Sequence, residues 1–414
     1  MRLLILTQYF APETGAPPVR LLAFARELRR LGHDVEVVTG MPNYPTGQIF
    51  AAYRGQLRLK ETWEGFPLHR VWLWAAKGAG MSRVLNYLSF MGTALLPLRQ
   101  VARPDVIFVE SPPLTLFLTA LAYRQRFPQA LLVLNIADQW IDAMRDFGVV
   151  TNRRLLAVLG RFARFCYAQA DLITAATHGI VNDLIEKQGV PAAKILLLPN
   201  GADADAASDD ATVERLLEAN GLRGRRLAVC IGTHGYIHGM ETLLEAAACL
   251  ADLSDLIVLL VGDGSEKTKL VELARARGLT KVRFADPIPP AAVLPLYRRA
   301  VVGLSTLRDL PIATGARPVR ALNAMAAGVP LVYAGAGEGA ELVRRAGAGI
   351  ITPPGDGQAV AAAIRQLLAD PGAARSMGER GRAYIERHLT WTAIVRSFQE
   401  AVAHRLALRE CSLI

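Results

Sequence analysis

The sequence predicts an α/β protein of two Rossmann-like domains, with a last helix free to return to the first. Three observations predict it. The 414 residues suit two domains of about 200 residues each. Apolar β-type runs alternate with helix-length segments from end to end, as parallel sheets covered on both faces require. The alternation breaks at Pro199-Asn200-Gly201-Ala202-Asp203 and restarts with an apolar run at 227–231, which places the boundary there. The expected domains are 1–199 with 391–414, and 200–390. Facing each other, two such domains create a cleft at the C-terminal ends of both sheets, where open α/β sheets bind ligands.

In the first half the strands are expected at 3–6, 35–38, 106–109, 131–135, 172–174 and 195–198. Helix 18–31 carries Arg26, Glu27, Arg29 and Arg30 outward and stops at Gly32. In the second half strands are expected at 227–231, 257–261, 282–284, 301–305 and 331–333. The final helix, 391–408, lies beyond the last of them.

Apolar residues make up 52% of the chain and charged residues 20%, enough for two cores and against disorder. Four cysteines, Cys166, Cys230, Cys249 and Cys411, show no short pairing, so neither a disulfide framework nor a zinc site is expected. The N-terminus MRLLILTQYF lacks a secretory pattern, and the expected location is cytoplasmic. Residues 1–200 hold 22 Lys and Arg against 14 Asp and Glu, so most of the net charge of +10 lies there. A basic face suits nucleic acid, an anionic membrane or a phosphorylated substrate. No aromatic–basic, zinc-finger or ribonucleoprotein pattern is present, which removes nucleic acid. The apolar stretch 84–98, flanked by Arg83, Arg99 and Arg103, is too short for a bilayer span. It reads either as a buried helix or as one lying on the membrane, with 83–103 against an anionic surface.

The loops after strands hold the candidate chemistry. Gly232-Thr233-His234-Gly235 follows a strand and precedes a helix, so its backbone N–H groups can approach an anion. Gly262-Asp263-Gly264 repeats the arrangement; in either loop the glycines equally suit a tight turn. No dinucleotide fingerprint or Walker A lysine is present, which weighs against hydride transfer and ATP hydrolysis. Loop 39–54, with Tyr44, is too rich in Pro, Gly and aromatic residues for helix or strand and too apolar for a disordered linker, and long loops on this edge usually hold function. Asp138, Trp140, Asp142 and Asp146 cluster after the strand at 131–135. Asp138 reads as a group that positions a hydroxyl, or as a helix cap.

The segments YFAPETGAPPVRLLAFARELRRLGHDVEVVTGMPNYPTG, DQW, GTHGYIHGMETLLEAA, LLVGDGSEK, RALNAMAAGVPLVYAG and GEGAELV resemble, in order, the retaining GT-B glycosyltransferases of bacterial capsule, colanic acid and O-antigen assembly, in the branch that includes fucosamine transferases. The resemblance implies the GT-B fold and a metal-independent hexosyltransferase. Such an enzyme needs no cofactor, takes a nucleotide-sugar as substrate, UDP-linked in our reading, and acts on a lipid-linked glycan acceptor at the inner membrane face. It implies that Gly15 lies near the donor phosphates, that Asp138 and Trp140 belong to the family's Asp-Leu-Trp-Pro segment, and that His238 and Gly239 form the turn before the nucleotide-binding helix. Gly262 and Gly264 would lie near the base, and Glu338, Gly339, Ala340 and Glu341 would face the donor. Asp138 and Arg320 are the catalytic candidates. Gly15, Gly232, Thr233, His234, Gly235, His238, Gly262, Gly264, Arg320, Asn323 and 338–341 are the donor-side candidates, and Tyr44, Trp140 and Asp142 the acceptor-side ones.

The departures are specific. Many relatives carry two Glu separated by seven residues; this chain has Gly315 and Asn323 there. Asn323 still accepts a hydrogen bond from a ribose hydroxyl, more weakly than a carboxylate. Arg320 replaces the branch's Lys at the start of a helix aimed at a pyrophosphate, and Arg317 matches no family position. Ile141 and Asp142 replace the family's Pro and Glu. Two alternatives therefore stand beside the enzyme: a catalytically degenerate GT-B protein that binds a partner or a glycan, and a sugar-nucleotide epimerase.

Overall fold

The computed structural model describes all residues except 14, 45, 77–79, 139–151, 204–207 and 413–414, and all side chains except those and 16 and 410–412. The chain forms two compact units, Met1–Asn200 with Trp391–Ile414, and Gly201–Thr390.

The first unit is an eight-stranded sheet: β1 (Arg2–Leu6), β2 (Asp34–Gly40), β3 (Arg58–Trp63), β4 (Phe66–Val71), β5 (Val106–Ser111), β6 (Leu131–Ile136), β7 (Leu172–Ala175) and β8 (Ile195–Leu197), in the order β3-β4-β2-β1-β5-β6-β7-β8. All pairings are parallel except β3 with β4. Alternate residues feed two cores. Leu3, Ile5, Val37 and Phe108 enter one, while Leu4, Leu6, Val38 and Val109 enter the other. Burial on both faces is why these strands read as continuous apolar runs.

Sequence reasoning missed β3 and β4. Their two-residue turn has positive φ at both Glu64 (48°) and Gly65 (81°), the hairpin geometry that suits the strand twist. β3 alternates exposed Arg58, Lys60 and Thr62 with half-buried Leu59, Glu61 and Trp63. An edge strand of this kind shows only a weak apolar signal.

The apolar stretch 84–98 forms helix Met81–Thr93 and the turns after it. Only Asn86 and Phe90 of the helix are buried, while Met81, Val84, Leu85 and Leu88 are exposed at 73%, 46%, 45% and 45%. The buried-helix reading is corrected: most of the helix's apolar residues face outward. Among the described residues no helix is long and apolar enough to cross a membrane.

The last helix, Trp391–Ser412, packs on helix Ala16–Arg30 and β6. Phe398 meets Phe24 and Phe108 edge-on, with ring centroids 5.2 Å and 5.8 Å apart. The first core is thus closed by the end of the chain.

The second unit is an all-parallel sheet of β9 (Arg226–Ile231), β10 (Leu256–Val261), β11 (Val282–Ala285), β12 (Val302–Thr306), β13 (Leu331–Ala334) and β14 (Gly349–Thr352), in the order β11-β10-β9-β12-β13-β14. β14 was not expected: its four residues, GIIT, follow an Ala- and Gly-rich stretch with little β character. A Cβ on Gly349 would lie 1.8 Å from the Leu331 carbonyl oxygen, so only glycine pairs there. In both sheets the strand order reverses beside the first strand, between β1 and β5 and between β9 and β12, so the loops leaving these strands flank the crevice of each sheet.

Phe398→Ala should destabilise the first unit by about 3–5 kcal/mol, measured by denaturant unfolding followed with a probe in that unit.

Candidate functional site

In the second unit β9 runs into Gly232 (φ +145°), and β10 into Gly262 (φ +143°) and Gly264 (φ +159°). The two loops are joined by backbone hydrogen bonds, His234 N–H to Asp263 at 2.9 Å and Glu266 N–H to His234 at 2.9 Å. Glycine is needed here because the loops touch. A Cβ on Gly262 would lie 2.0 Å from the Gly232 carbonyl oxygen, and one on Gly264 would lie 2.4 Å from that of His234. The Gly232 N–H is also taken, by Val261. Two N–H groups of the 232–235 loop are therefore committed within the protein, and the loop is less open to an anion through its backbone than its glycines suggest.

The charge comes from below. Arg320, in helix Val319–Ala326, is 5% exposed. Its guanidinium donates to the Thr233 carbonyl at 2.7 Å and to the Cys230 sulfur at 3.3 Å, and it makes no ion pair among the described residues. His234 is fully buried, and neither ring nitrogen has a partner of good geometry. Burial first, and Arg320 second, pull its pKa down to about 4; the same causes lower His238. Both imidazoles are neutral near pH 7, which leaves Arg320 a buried cation without an ionic partner among the described residues. Buried charges are ordinarily paired, so the arrangement suits an anionic ligand.

Asn323 is half-buried and one turn beyond Arg320 on the same helix face. Glu338 stands in the first turn of helix Gly337–Ala346, with Arg317 Nε 3.6 Å from its carboxylate. Arg317, which matches no family position, thus has an ionic partner. Gly339 leaves room for the Tyr333 hydroxyl, 2.1 Å from where its Cβ would be, and Ala340 is buried. Glu341 differs from its neighbours: it turns outward and pairs with Arg344 at 2.5 Å and Arg345 at 2.7 Å.

In the first unit, the sequence reading overlooked Glu13. It is 4% exposed and accepts from the backbone N–H groups of Phe10 (3.0 Å), Asn43 (2.8 Å) and Tyr44 (2.8 Å). It thereby ties loop 7–15 to loop 40–50. Tyr44 lies over Gly15, where a Cβ would come within 2.4 Å of its ring, and its ring centroid is 5.5 Å from that of Tyr9. Gly15 is small because Tyr44 covers it. Arg83 in turn donates to the Tyr9 hydroxyl at 2.9 Å, and Gln8 to Asn86 at 2.5 Å, so helix Met81–Thr93 is anchored to the same loop.

At the C-terminal ends of the neighbouring strands, Arg20 pairs with buried Glu110, which also accepts from Asn135 at 2.7 Å; Asn135 accepts from Thr174 at 2.7 Å. Burial raises the Glu110 pKa against the pull of Arg20. A lone carboxylate ending the apolar strand VIFVES was the available sequence signal. Asp138 follows β6. Desolvation, the larger effect, pushes its pKa up, and Arg20 pulls it down; solvent reaches the side chain. Trp140, Asp142 and Asp146 lie outside the described residues. Among the described residues no group of His, Cys, Asp or Glu is placed to hold a metal ion.

Burial raises the Glu13 pKa from 4.5 to about 7, outweighing its three N–H donors. Between those values the folded chain holds a proton that the unfolded chain has lost, so stability is greatest at low pH and falls as pH rises through 7. Melting temperatures from about pH 5 to about pH 8 should decline in the wild type more than in Glu13→Gln. Gly262→Ala should cost about 1–3 kcal/mol of second-unit stability, read by denaturant unfolding.

Residues 15–201 match the glycosyl transferase 4-like domain family and residues 214–384 the glycosyl transferases group 1 family. A protein of Escherichia coli K12 assigned to colanic acid biosynthesis as the glycosyl transferase WcaI is 26% identical over 96% of this chain and 98% of its own length. A D-inositol 3-phosphate glycosyltransferase of Salinispora tropica is 30% identical over 59% of this chain and 54% of its own. Among solved structures, the sucrose-phosphate synthase of Thermosynechococcus elongatus superposes with a TM-score of 0.74 at 18% identity, covering 98% of this chain and 99% of that one. HepE of Anabaena, in complex with UDP-glucose, superposes with a TM-score of 0.71 at 17% identity, covering 98% and 100%. With both domain families matched in order and the GT-B architecture covering nearly its whole length, the chain belongs to the GT-B glycosyltransferases.

Proposed function

We propose that this glycosyltransferase moves a sugar from a UDP-linked donor, with retention and without a metal, to a lipid-linked glycan acceptor at the cytoplasmic face of the membrane, in the branch that includes fucosamine transferases. The observation that carries the donor half is Arg320, a buried cation beneath the 232–235 loop with no acidic partner among the described residues. A diphosphate over this loop would supply the missing negative charge, stabilised further as the nucleoside diphosphate departs. Asn323, on the same helix face, is suited to a ribose hydroxyl. UDP and UDP-glucose are bound by HepE, which supports uridine as the base. In the transfer, the bond from the sugar to the diphosphate breaks, the acceptor oxygen bonds to that carbon from the same face, and its proton passes to the leaving diphosphate. Asp138, whose side chain solvent reaches, is suited to orienting the sugar or acceptor hydroxyl; Tyr44, Trp140 and Asp142 are assigned to the acceptor, and Gly15 to the donor phosphates.

The acceptor half rests on the kinship with the colanic acid protein and on the surface of the first unit. Helix Met81–Thr93 and helix Arg153–Gln169 cover the same face of the sheet, contributing Phe90 and Cys166 to one core. Outward they present Val84, Leu85 and Leu88, and Leu155, Val158 and Phe165, interspersed with arginines. An apolar surface rimmed by cations fits an anionic bilayer.

A second reading, a catalytically degenerate partner or glycan-binding subunit, draws on Gly315 and Asn323, where relatives carry Glu, and on the outward ion pairs of Glu341. Calorimetric titration separates the two. The enzyme reading expects micromolar UDP binding, preferred over GDP and weakened by about tenfold or more in Arg320→Gln. It also expects Asp138→Asn to keep UDP binding but lose about 100-fold or more in kcat. Absence of binding to any nucleotide would establish the degenerate reading instead.

A further inference from the structure

The antiparallel register of β3 with β4 sets Arg58 opposite Val71 and Lys60 opposite His69, so these four side chains share one face of the sheet. Val71 belongs to the core beneath helix Met81–Thr93. On this face, between the hairpin and the turn that follows the helix, lies a cavity of about 210 Å³ whose walls include Arg58, Lys60, His69, Pro97 and Gln100. No acidic residue lines it. The carboxylates that meet its lining are both engaged: Glu36 by His69 Nε2 at 2.7 Å and by the Ala102 N–H at 3.0 Å, and Glu61 by Arg70. Arg58 and Lys60 are exposed and make no ion pair among the described residues. The space, several times the ~30 Å³ share of one water, admits a tetrahedral anion with bridging waters.

The position of the cavity decides which anion. Pro97, in its wall, directly follows Leu95 and Leu96, exposed at 41% and 40%, which continue the outward apolar surface of helix Met81–Thr93. Arg99 and Arg103, also exposed, follow. A soluble phosphate would gain nothing from this apolar margin, whereas a lipid places its phosphate beside its own apolar chains. We propose that the cavity binds the phosphate of an anionic lipid headgroup through Arg58 and Lys60, with His69 and Gln100 at its wall, while the leucines beside it meet the acyl region. The inference rests on the membrane-docking part of the proposed function and adds a defined phosphate site to it. Neither cation belongs to the donor machinery.

The test uses the full chain and three proteins: the wild type, Arg58→Gln with Lys60→Gln, and, as a charge-matched control outside the cavity, Arg99→Gln with Arg103→Gln. Each is titrated with phosphatidylcholine vesicles, with vesicles containing phosphatidylglycerol, with inorganic phosphate and with UDP; melting curves verify that each folds. The site is supported if the cavity variant loses about tenfold or more of its affinity for phosphatidylglycerol vesicles, the control loses clearly less, and UDP binding is the same in all three. Equal losses in both variants would overturn it, leaving only diffuse surface charge. Inorganic phosphate binding that disappears in the cavity variant, with vesicle binding unchanged, would overturn the lipid assignment in favour of a soluble anion. A wild type that binds neither vesicle would overturn both this site and membrane docking, whatever the UDP titration shows.

Discussion

A parallel strand buried on both faces has no polar side to offer water, so its chemistry is confined to its ends. In both sheets this constraint makes the strand bodies uniform and the loops at their C-terminal ends individual. β1 and β9 are apolar throughout apart from their first residues, and the groups with functional character begin one or two positions beyond them. The close contact of the two glycine loops in the second unit has the same origin. Parallel neighbours deliver their loops side by side at strand spacing, and two adjacent loops fit there only without side chains at Gly262 and Gly264.

That packing also explains the electrostatics. Among the described residues Arg320 has no acidic partner, and it lies close to the hydroxyls of Tyr297 and Tyr333, whose pKa burial raises. Desolvation keeps the two histidines neutral near pH 7, so neither adds a positive charge beside the guanidinium. The first unit manages its buried charge oppositely. Arg20 and Glu110 neutralise each other, and Glu13 is held by backbone donors, giving a rigid framework rather than an open charge.

Much of this was legible in the sequence because glycine and apolar periodicity are local signals. The order of the elements, the loops 232–235 and 262–264, and the return of the last helix followed from them. What escaped depends on distant partners. Glu13 looks like any loop glutamate until Asn43 and Tyr44 turn their N–H groups toward it. The role of Arg317 appears only when Glu338 is brought within 3.6 Å. Glu341 lies three residues from Glu338 in one motif, yet the arginines at 344 and 345 take it to the surface. The hairpin of β3 and β4 was hidden by its charges, since an edge strand with cations on alternate positions resembles a polar loop.

The Phe24–Phe398 contact joins positions 374 residues apart in one core. During synthesis the first unit therefore lacks part of its core until the helix from Trp391 leaves the ribosome. The second unit, continuous from Gly201 to Thr390, is complete before that. The order of folding is thus inverted relative to the order of the chain: the domain encoded second can finish first, and the domain encoded first matures last.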